Sequence, residues 1–162
     1  MVAIIGILAA IVIPNWASTA RNKKYDPEIT AMFAEISTRE EQYRQELGNG
    51  LYLDTAGACP SGSPDPNGID FNASCVTGVQ PYAVLRVNAT DSKIRCTYAV
   101  TAGNAPSTSP SPPAGCSGAP ATLQGSWYYI VASCDMDGNG GTNATFCMSS
   151  WNNAQTNANY GS

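Results

Sequence analysis

The sequence predicts an α+β fold in which a long N-terminal α-helix packs on an antiparallel β-sheet of about four strands, held by disulfides. Three observations predict it. Residues 1–14 form an uncharged apolar run, and apolar residues then recur at three- and four-residue spacing as far as Leu47. Several later segments alternate apolar and polar residues, as strands do. Six cysteines occur, all from Cys59 onward.

The apolar run is too short to cross a membrane alone. As a helix, residues 1–14 would rise about 20 Å, whereas a span needs roughly 20 apolar residues. The run could be a buried core helix, the hydrophobic part of a signal peptide, or the later part of a longer apolar helix. Basic residues follow the run, at Arg21, Lys23 and Lys24, rather than preceding it as in a signal peptide. Because no polar face is present, we expect lipid or identical helices to surround it.

The segment Ala3-Ile-Ile-Gly-Ile-Leu-Ala-Ala-Ile-Val-Ile-Pro14-Asn15 resembles the N-terminal helix of the methylation-type pilins, which are the type IV pilins and type II secretion pseudopilins. Gly6 and Pro14 carry much of the resemblance, since hydrophobicity alone would not place them there. The resemblance is specific over residues 3–15 and looser over the next thirty or so. The family's methylated N-terminal Phe and its buried Glu have no counterpart, because the chain begins at what corresponds to an interior position.

The resemblance implies a pilin fold and a structural subunit of an extracellular type IV pilus-like filament, or fimbrium, with roles in adhesion or motility. Its partners would be many identical subunits, the inner-membrane assembly machinery, a prepilin peptidase and, before assembly, the lipid bilayer. The protein would lie in the bacterial inner membrane and then in a surface filament. The stretch from Gly6 to Pro14 would be either unwound or a kinked, continuous helix. The expected assembly residues are Ile4, Ile5, Gly6, Ile7, Leu8, Ile11, Ile13 and Pro14.

Two other functions fit the same sequence. One is a pseudopilin of a type II secretion system, which shares the architecture. The other is a membrane-tethered module that binds calcium or glycans and acts as a monomer. Polymerisation separates the second from a filament subunit, because a tethered module would dissolve in mild detergent as single chains.

Three regions are predicted: a filament-core or membrane helix over 1–25, an amphipathic helix over 26–50 that packs on the head, and a globular β-sheet head over 51–162. Asp26-Pro27-Glu28 is a helix-start signal with Asp26 as N-cap, and Gly48-Asn49-Gly50 is a stop signal. The expected helix stripe is Ile29, Met32, Phe33, Ile36, Tyr43 and Leu47, interrupted by Glu40. Strands are predicted over 82–87, 93–100, 125–133 and 144–150, the last two as an antiparallel hairpin, with loops over 51–80 and 102–120.

The cysteines predict disulfides formed in an oxidising compartment, since none forms a C-x-x-C pair typical of metal or redox sites. Six cysteines allow 15 pairings. We expect sequence neighbours to pair, each bond restraining the unfolded chain by about 3 kcal/mol on the chain-entropy model. The predicted pairs are Cys59 with Cys75, Cys96 with Cys116, and Cys134 with Cys147.

Composition argues against an enzyme and against a nucleic-acid-binding protein. The net charge is −4 and no basic stripe is present in the C-terminal two-thirds of the chain. Histidine, the commonest general base and transition-metal ligand, is absent. Glu40 and Glu41 are expected on a solvated helix face. Trp127, Trp151 and the pair Tyr128–Tyr129 are expected in the core and at a subunit interface.

One segment resembles the opening of a calcium loop. Asp135-Met-Asp137-Gly-Asn139-Gly140 places oxygen-bearing side chains at alternate positions, followed by a glycine that permits a sharp turn. The acid expected at the twelfth position is replaced by Phe146, so a simple hairpin turn is the competing interpretation. If calcium binds, Asp135, Asp137 and Asn139 ligate it, with help from Thr142 or Asn143, at about millimolar affinity. No cofactor is otherwise required.

Glycosylation sites are predicted from sequons and from a loop rich in Ser, Thr and Pro. Sequons occur at Asn72, Asn88 and Asn143, and only Asn72 has an acid, Asp70, two residues before it. We therefore expect any N-glycan at Asn72. Candidate O-glycan acceptors are Ser107, Thr108, Ser109 and Ser111.

Overall fold

The computed structural model of the chain describes residues 25–140 and 144–158. It contains three helices, α1 (Asp26–Glu46), α2 (Phe71–Cys75) and α3 (Pro81–Leu85), and four strands, β1 (Cys96–Ala105), β2 (Gly125–Cys134), β3 (Ala144–Ser149) and β4 (Asn152–Ala158). The predicted assembly residues, from Ile4 to Pro14, lie outside the described residues. None of the described helices is both long and apolar enough for a membrane span.

The strands form one antiparallel sheet in the order β1-β2-β3-β4. Strands β1 and β2 pair along their whole length, from Cys96 opposite Cys134 to Ala105 opposite Gly125. Strands β2 and β3 form the predicted hairpin, and β3 turns directly into β4, with a register irregularity between Cys147 and Ser149. The predicted α+β class and the predicted four-stranded antiparallel sheet are confirmed.

One predicted strand is wrong, one strand was not predicted, and both predicted loops are too long. Helix α2 (Phe71–Cys75) lies in the predicted loop 51–80, and β1 extends to Ala105, into the predicted loop 102–120. Residues 82–87 were predicted as a strand, but Pro81 to Leu85 form helix α3, which buries Tyr82 and Leu85. Pro81 favours this because its fixed φ suits the first helical turn, where no N–H is needed. Strand β4 was not predicted, because its Asn, Gln and Thr residues show no apolar alternation. It lies mostly exposed at the edge of the sheet.

Helix α1 starts and ends close to the predicted residues. Tyr25 takes the N-cap position predicted for Asp26, and Pro27 stands in the first turn. The helix ends at Glu46, where Gly48 N donates to Tyr43 O at 2.7 Å and Gly50, at φ +87°, donates to Arg44 O at 3.0 Å. The buried residues of the predicted stripe are Ile29, Met32, Phe33 and Ile36. Leu47 is 59% exposed, so the packed stripe ends before it.

Helix α1 packs on one face of the sheet through apolar contacts and a buried carboxylate. The rings of Phe33 and Tyr98 meet edge to face at 6.3 Å, and the hydroxyls of Ser37 and Tyr128 lie 2.7 Å apart. The Glu28 side chain, 3% exposed, accepts hydrogen bonds from the main-chain N–H of Arg95 at 2.8 Å and of Cys96 at 3.0 Å. A charged acceptor at the first residue of β1 therefore ties the start of the helix to the start of the sheet.

The disulfide prediction is correct for one pair and wrong for two. Cys59 bonds to Cys75 as predicted, but the other bonds are Cys96–Cys134 and Cys116–Cys147. Cys96 and Cys134 are directly opposite in the β1–β2 register, with Cα atoms 4.4 Å apart. Cys147 is opposite Val131, three residues before Cys134, so Cys134 and Cys147 point to opposite faces of the sheet. Strand alternation thus prevents the predicted pairing.

Glu40 is buried, contrary to the prediction of a solvated face. One carboxylate oxygen, Oε2, accepts from Leu53 N at 2.9 Å, and the other, Oε1, has no partner among the described residues. Burial raises the pKa of Glu40 to about 7, against the opposing effect of the Leu53 hydrogen bond. Glu41 remains partly exposed, accepting from Tyr52 Oη at 2.6 Å and pairing with Arg44 at 3.0 Å.

Glu40 should make the fold more stable in mild acid than at neutral pH. Its pKa is about 7 in the fold against an ordinary 4.5, so the folded state binds the proton more tightly. The resulting stabilisation is complete below about pH 4.5 and is lost as the pH rises to about 7, a change of about 3 kcal/mol. In Glu40→Gln the amide oxygen still accepts from Leu53 N, and this pH dependence should disappear.

The check is the free energy of urea unfolding between pH 4.5 and 8, with the full chain in mild detergent. Glu46→Gln is the control, because it removes one negative charge from an exposed position on the same helix. A Glu40→Gln variant that loses stability with pH as steeply as the wild type would refute this account of Glu40.

Candidate functional site

The predicted calcium segment forms a loop, residues 135–140, that directly follows β2; we name it the aspartate loop. Asp135 is only 1% exposed and adjoins Cys134, whose disulfide with Cys96 holds β2 against β1. The next buried side chain is Met136. Thr142 and Asn143, the predicted auxiliary ligands, lie outside the described residues. The loop therefore starts from a rigid, buried position at the end of the sheet.

Both aspartate side chains of the aspartate loop accept hydrogen bonds from other residues of the same loop. Asp135 Oδ1 accepts from Gly138 N at 2.8 Å, and Oδ2 accepts from Gly140 N at 2.9 Å. Asp137 Oδ1 accepts from Asn139 N at 3.1 Å, and its Oδ2 accepts from Asn139 Nδ2 at 2.6 Å. Gly140 has φ +90°, in the left-handed region that glycine enters without strain. These contacts fold the loop into two nested Asx-type turns.

The charge of Asp135 is stabilised by these contacts. Burial acts to raise the pKa of Asp135, but the N–H groups of Gly140 and Gly138 outweigh it and hold the pKa below its ordinary value. Hydrogen bonds that favour the charged form of a carboxyl have this effect. Asp135 is consequently a buried carboxylate that stays ionised at neutral pH.

The aspartate loop is also tied to the start of helix α1. The Tyr25 hydroxyl donates to the main-chain oxygen of Asp135 at 3.0 Å, across 110 residues of sequence. Tyr25 is 4% exposed and immediately precedes the helix. Sequence reasoning did not single out Tyr25, and it gave Glu28 only as part of the helix-start signal. No local signal marks their tertiary roles, because both act through contacts with residues far away in the chain.

The donor set of the aspartate loop consists of two carboxylates and the Asn139 amide, which are oxygen ligands of the kind that calcium takes. Within residues 25–140 and 144–158, no group of three or more His, Cys, Asp or Glu side chains could hold a metal ion. The carboxylates bond to N–H groups of their own loop. This geometry serves a turn, and calcium binding by the aspartate loop stays a prediction.

The predicted glycan acceptors are exposed, and two sequon asparagines are neighbours. Asn72 lies on α2, whose N-cap Asp70 accepts from Ala73 N at 2.9 Å. Asn72 Nδ2 is 3.5 Å from Asn88 Oδ1. Asn143 lies outside the described residues. The candidate O-glycan acceptors Ser107, Thr108, Ser109 and Ser111 are all exposed.

The loop that carries these hydroxyl groups covers the sheet face opposite α1. Trp127 Nε1 donates to Thr108 O at 3.0 Å, and Tyr129 Oη donates to Ser111 O at 3.2 Å. Trp127 and Tyr129 stack in parallel at 6.1 Å, and Trp151 meets both rings edge to face. Trp127, Tyr128 and Tyr129 are buried, as predicted for core residues, whereas Trp151 is half-buried. The predicted role at a subunit interface stays a prediction.

The chain matches no protein-family model, no curated protein and no solved structure. Its resemblance to the pilins therefore depends on residues 3–15.

Replacing Asp135 with Asn should destabilise the protein at neutral pH by about 1.5–3 kcal/mol, the usual range for hydrogen bonds to a charged group. Because the folded pKa is lowered, the charged side chain contributes stability above about pH 4, and this is lost as the pH falls through the folded pKa. The difference in melting temperature between wild type and Asp135→Asn should therefore shrink in acid. Asp137→Asn, at an exposed position of the same loop, is the control and should change the melting temperature little. Equal effects of the two substitutions would contradict a specific role for Asp135.

Proposed function

We propose that this chain is a pilin, a structural, non-enzymatic subunit of an extracellular type IV pilus-like filament. The observation that carries the proposal is the uncharged segment over residues 3–15, with glycine and proline at the positions that the pilin helix has them. In this proposal the apolar segments of many copies bundle at the filament axis, and the disulfide-bonded heads form the outer surface. Before the prepilin peptidase and the assembly machinery act on it, the subunit lies in the bacterial inner membrane.

The physical basis of assembly is the cost of exposing the apolar segment to water. Burying one Ile or Leu side chain is worth roughly 1.5–3 kcal/mol, so the six Ile and Leu side chains of the segment together disfavour a water-exposed subunit by roughly 9–18 kcal/mol. Lipid or neighbouring copies remove this penalty. The six side chains are Ile4, Ile5, Ile7, Leu8, Ile11 and Ile13.

The head has the properties that an exposed filament subunit needs. Three disulfides join segments far apart in sequence, and the two longer ones each restrain the unfolded chain by about 4 kcal/mol on the chain-entropy model. Helix α1 begins at Asp26, eleven residues after the apolar segment ends at Asn15. These properties support a robust domain carried on a filament-core segment.

Two alternatives remain as competing proposals. A pseudopilin of a type II secretion system would use the same apolar segment, and a calcium-bound loop favours it slightly. A membrane-tethered module binding calcium or glycans would use the segment only as an anchor. Both alternatives involve calcium because of the aspartate loop. Gly140 occupies the sixth position of that loop, where a calcium loop has a glycine, and its φ is positive, as a sharp turn requires.

Polymerisation tests the proposed function. Filaments sheared from cells that express the chain, imaged by electron cryo-microscopy, should show the apolar segments at the axis. Ile7→Lys should abolish filaments, because each copy would bring a charge into an apolar bundle. Val79→Lys is the matched control, since Val79 is 94% exposed on the head, and it should leave filaments intact. If wild-type chains occur only in membrane fractions and as single chains in detergent, the tethered module replaces the pilin.

Calcium binding is tested separately, with the chain in detergent. If Asp135, Asp137 and Asn139 hold calcium, millimolar calcium should raise the wild-type melting temperature, and Asp137→Asn should lose the increase. Magnesium at the same concentration controls for ionic strength. Equal responses of wild type and Asp137→Asn to calcium would leave the aspartate loop as a turn only.

A further inference from the structure

Residues 51–58, which follow helix α1 and which we name the strap, lie along the outer edge of β1. Thr55 N donates to Val100 O at 3.1 Å, and Val100 N donates to Thr55 Oγ1 at 2.9 Å. Ala102 N donates to the Asp54 carboxylate at 3.1 Å. Strand β1 is an outer strand of the sheet. The strap therefore occupies main-chain groups that would otherwise be free at the sheet edge.

The strap also covers the buried carboxylate of Glu40. Leu53 N donates to Glu40 Oε2 at 2.9 Å, and Glu40 is 0% exposed. Glu40 Oε1 is buried and has no hydrogen-bond partner in the part of the chain that the structure describes. A carboxylate that loses its water shell and gains one hydrogen bond in return is destabilised in its charged form. Moving Leu53 away would let water reach the carboxylate.

The charged groups of the described residues that act on Glu40 do not compensate its charge. Burial is the largest cause that raises the pKa of Glu40, and the negative charges of Asp54 and Glu41 add to it. The guanidinium of Arg44 pairs with Glu41 at 3.0 Å. Ionised Glu40 is therefore a negative charge among negative and neutral groups. The neutral groups are phenols whose pKa values are raised by burial, those of Tyr52, Tyr82 and Tyr128.

The two ends of the strap suit a local movement. Just before it, Gly50 has φ +87°, a conformation that glycine adopts without strain. Just after it, the Cys59–Cys75 disulfide holds the chain, and Cys59 and Tyr98 exchange main-chain hydrogen bonds of 2.8 and 2.9 Å. Within the strap, Ala56 has φ +54°, in the left-handed region that residues with a Cβ rarely adopt. A movement of the strap alone therefore leaves the disulfide and the sheet in place.

We propose that the strap is a pH-sensitive cover of the sheet edge, which opens from α1 and β1 when Glu40 loses its proton. In mild acid Glu40 is neutral, its burial costs little, and the strap stays closed. As the pH rises, ionised Glu40 is stabilised by the water that reaches it in the open state. Opening uncovers the main-chain groups of Val100 and Ala102. The proposal goes beyond the pilin function and does not rest on it, because it concerns the head alone.

The sign of the pH dependence follows from the two environments of Glu40. Its pKa is about 7 in the closed head against an ordinary 4.5, so the closed strap binds the proton more tightly. The closed form is fully favoured below about pH 4.5 and loses this advantage as the pH rises to about 7. If Glu40 has its ordinary pKa in the open state, the population of that state rises about 70-fold between pH 5 and pH 8.

Amide hydrogen exchange, followed by NMR on the full chain in detergent micelles, tests the proposal. Protection factors remove the direct effect of pH on the exchange chemistry. Between pH 5 and pH 8, the amides that the strap covers or contains should lose protection by about 70-fold. These are the amides of Leu53, Thr55, Val100 and Ala102.

Low concentrations of urea distinguish opening of the strap from unfolding of the whole head. The amides of Ala99 and Thr101 point toward β2, because main-chain groups alternate along a strand. They should be at least about tenfold better protected than the strap amides, because only larger openings expose them. Their exchange should accelerate with urea, whereas exchange of the strap amides should respond little, since strap opening exposes little surface.

Substitutions then identify the group that titrates. Glu40→Gln keeps an acceptor for Leu53 N and has no charge to lose, so its strap amides should change protection by less than about threefold. Glu46→Gln, at an exposed position of the same helix, is the control and should behave like the wild type. In Glu41→Gln a negative neighbour is removed and Tyr52 Oη keeps an acceptor, so the midpoint of the pH dependence should move to lower pH. Circular dichroism establishes that the variants are folded.

The proposal is overturned if the strap amides have the protection and the urea dependence of Ala99 and Thr101. It is also overturned by a Glu40→Gln variant with the wild-type pH dependence, or by a Glu41→Gln midpoint that stays in place or rises. Filament formation has no part in this test, since the chains are held in micelles. Failure of the strap proposal and failure of the pilin function are therefore observed separately.

Discussion

The head depends on the docking of helix α1 against the sheet, and the Glu28 carboxylate holds that contact at its starting end. Glu28 accepts the main-chain N–H groups of Arg95 and of Cys96, the first residue of β1, and pairs with the Arg95 side chain at 3.4 Å. Removing one partner of such a buried charged cluster usually costs about 3–5 kcal/mol, because the remaining charge is left uncompensated. The apolar stripe supplies most of the packing energy, and Glu28 determines where along β1 the helix sits.

Several long-range restraints converge at this same end of the molecule. The Cys96–Cys134 disulfide closes the β1–β2 pair, and the aspartate loop leaves the sheet at the next residue. Tyr25 joins that loop to the residue before α1. These contacts make the end of the head that holds Tyr25 and Glu28 its most heavily restrained part. The opposite end contains Glu40, whose burial makes it sensitive to pH.

Local patterns in the sequence predicted the helix and the central hairpin well, because each contains enough apolar periodicity to mark its own buried face. They failed where the reason for a structure lies in another segment. The strand predicted over 82–87 is a helix, since Tyr82 and Leu85 reach the core from a helical turn. Strand β4 is held in the sheet by hydrogen bonds to β3 rather than by burial. Its sequence therefore needs no apolar alternation, and no local pattern marks it as a strand. The sequence places Glu40 on a charged helix face, but in the fold it is buried and its carboxylate accepts a hydrogen bond from Leu53 N.

The amino-acid order alone predicts the uncharged segment with its pilin-like glycine and proline, the amphipathic helix, the hairpin and the oxidised cysteines. These are properties of a residue and its near neighbours. The disulfide partners and the buried carboxylates came from the three-dimensional arrangement. Their cause is strand register, which assigns every side chain to one face and brings Cys96 opposite Cys134 while separating Cys134 from Cys147. Register depends on pairing between distant segments, and no short stretch of sequence contains that information.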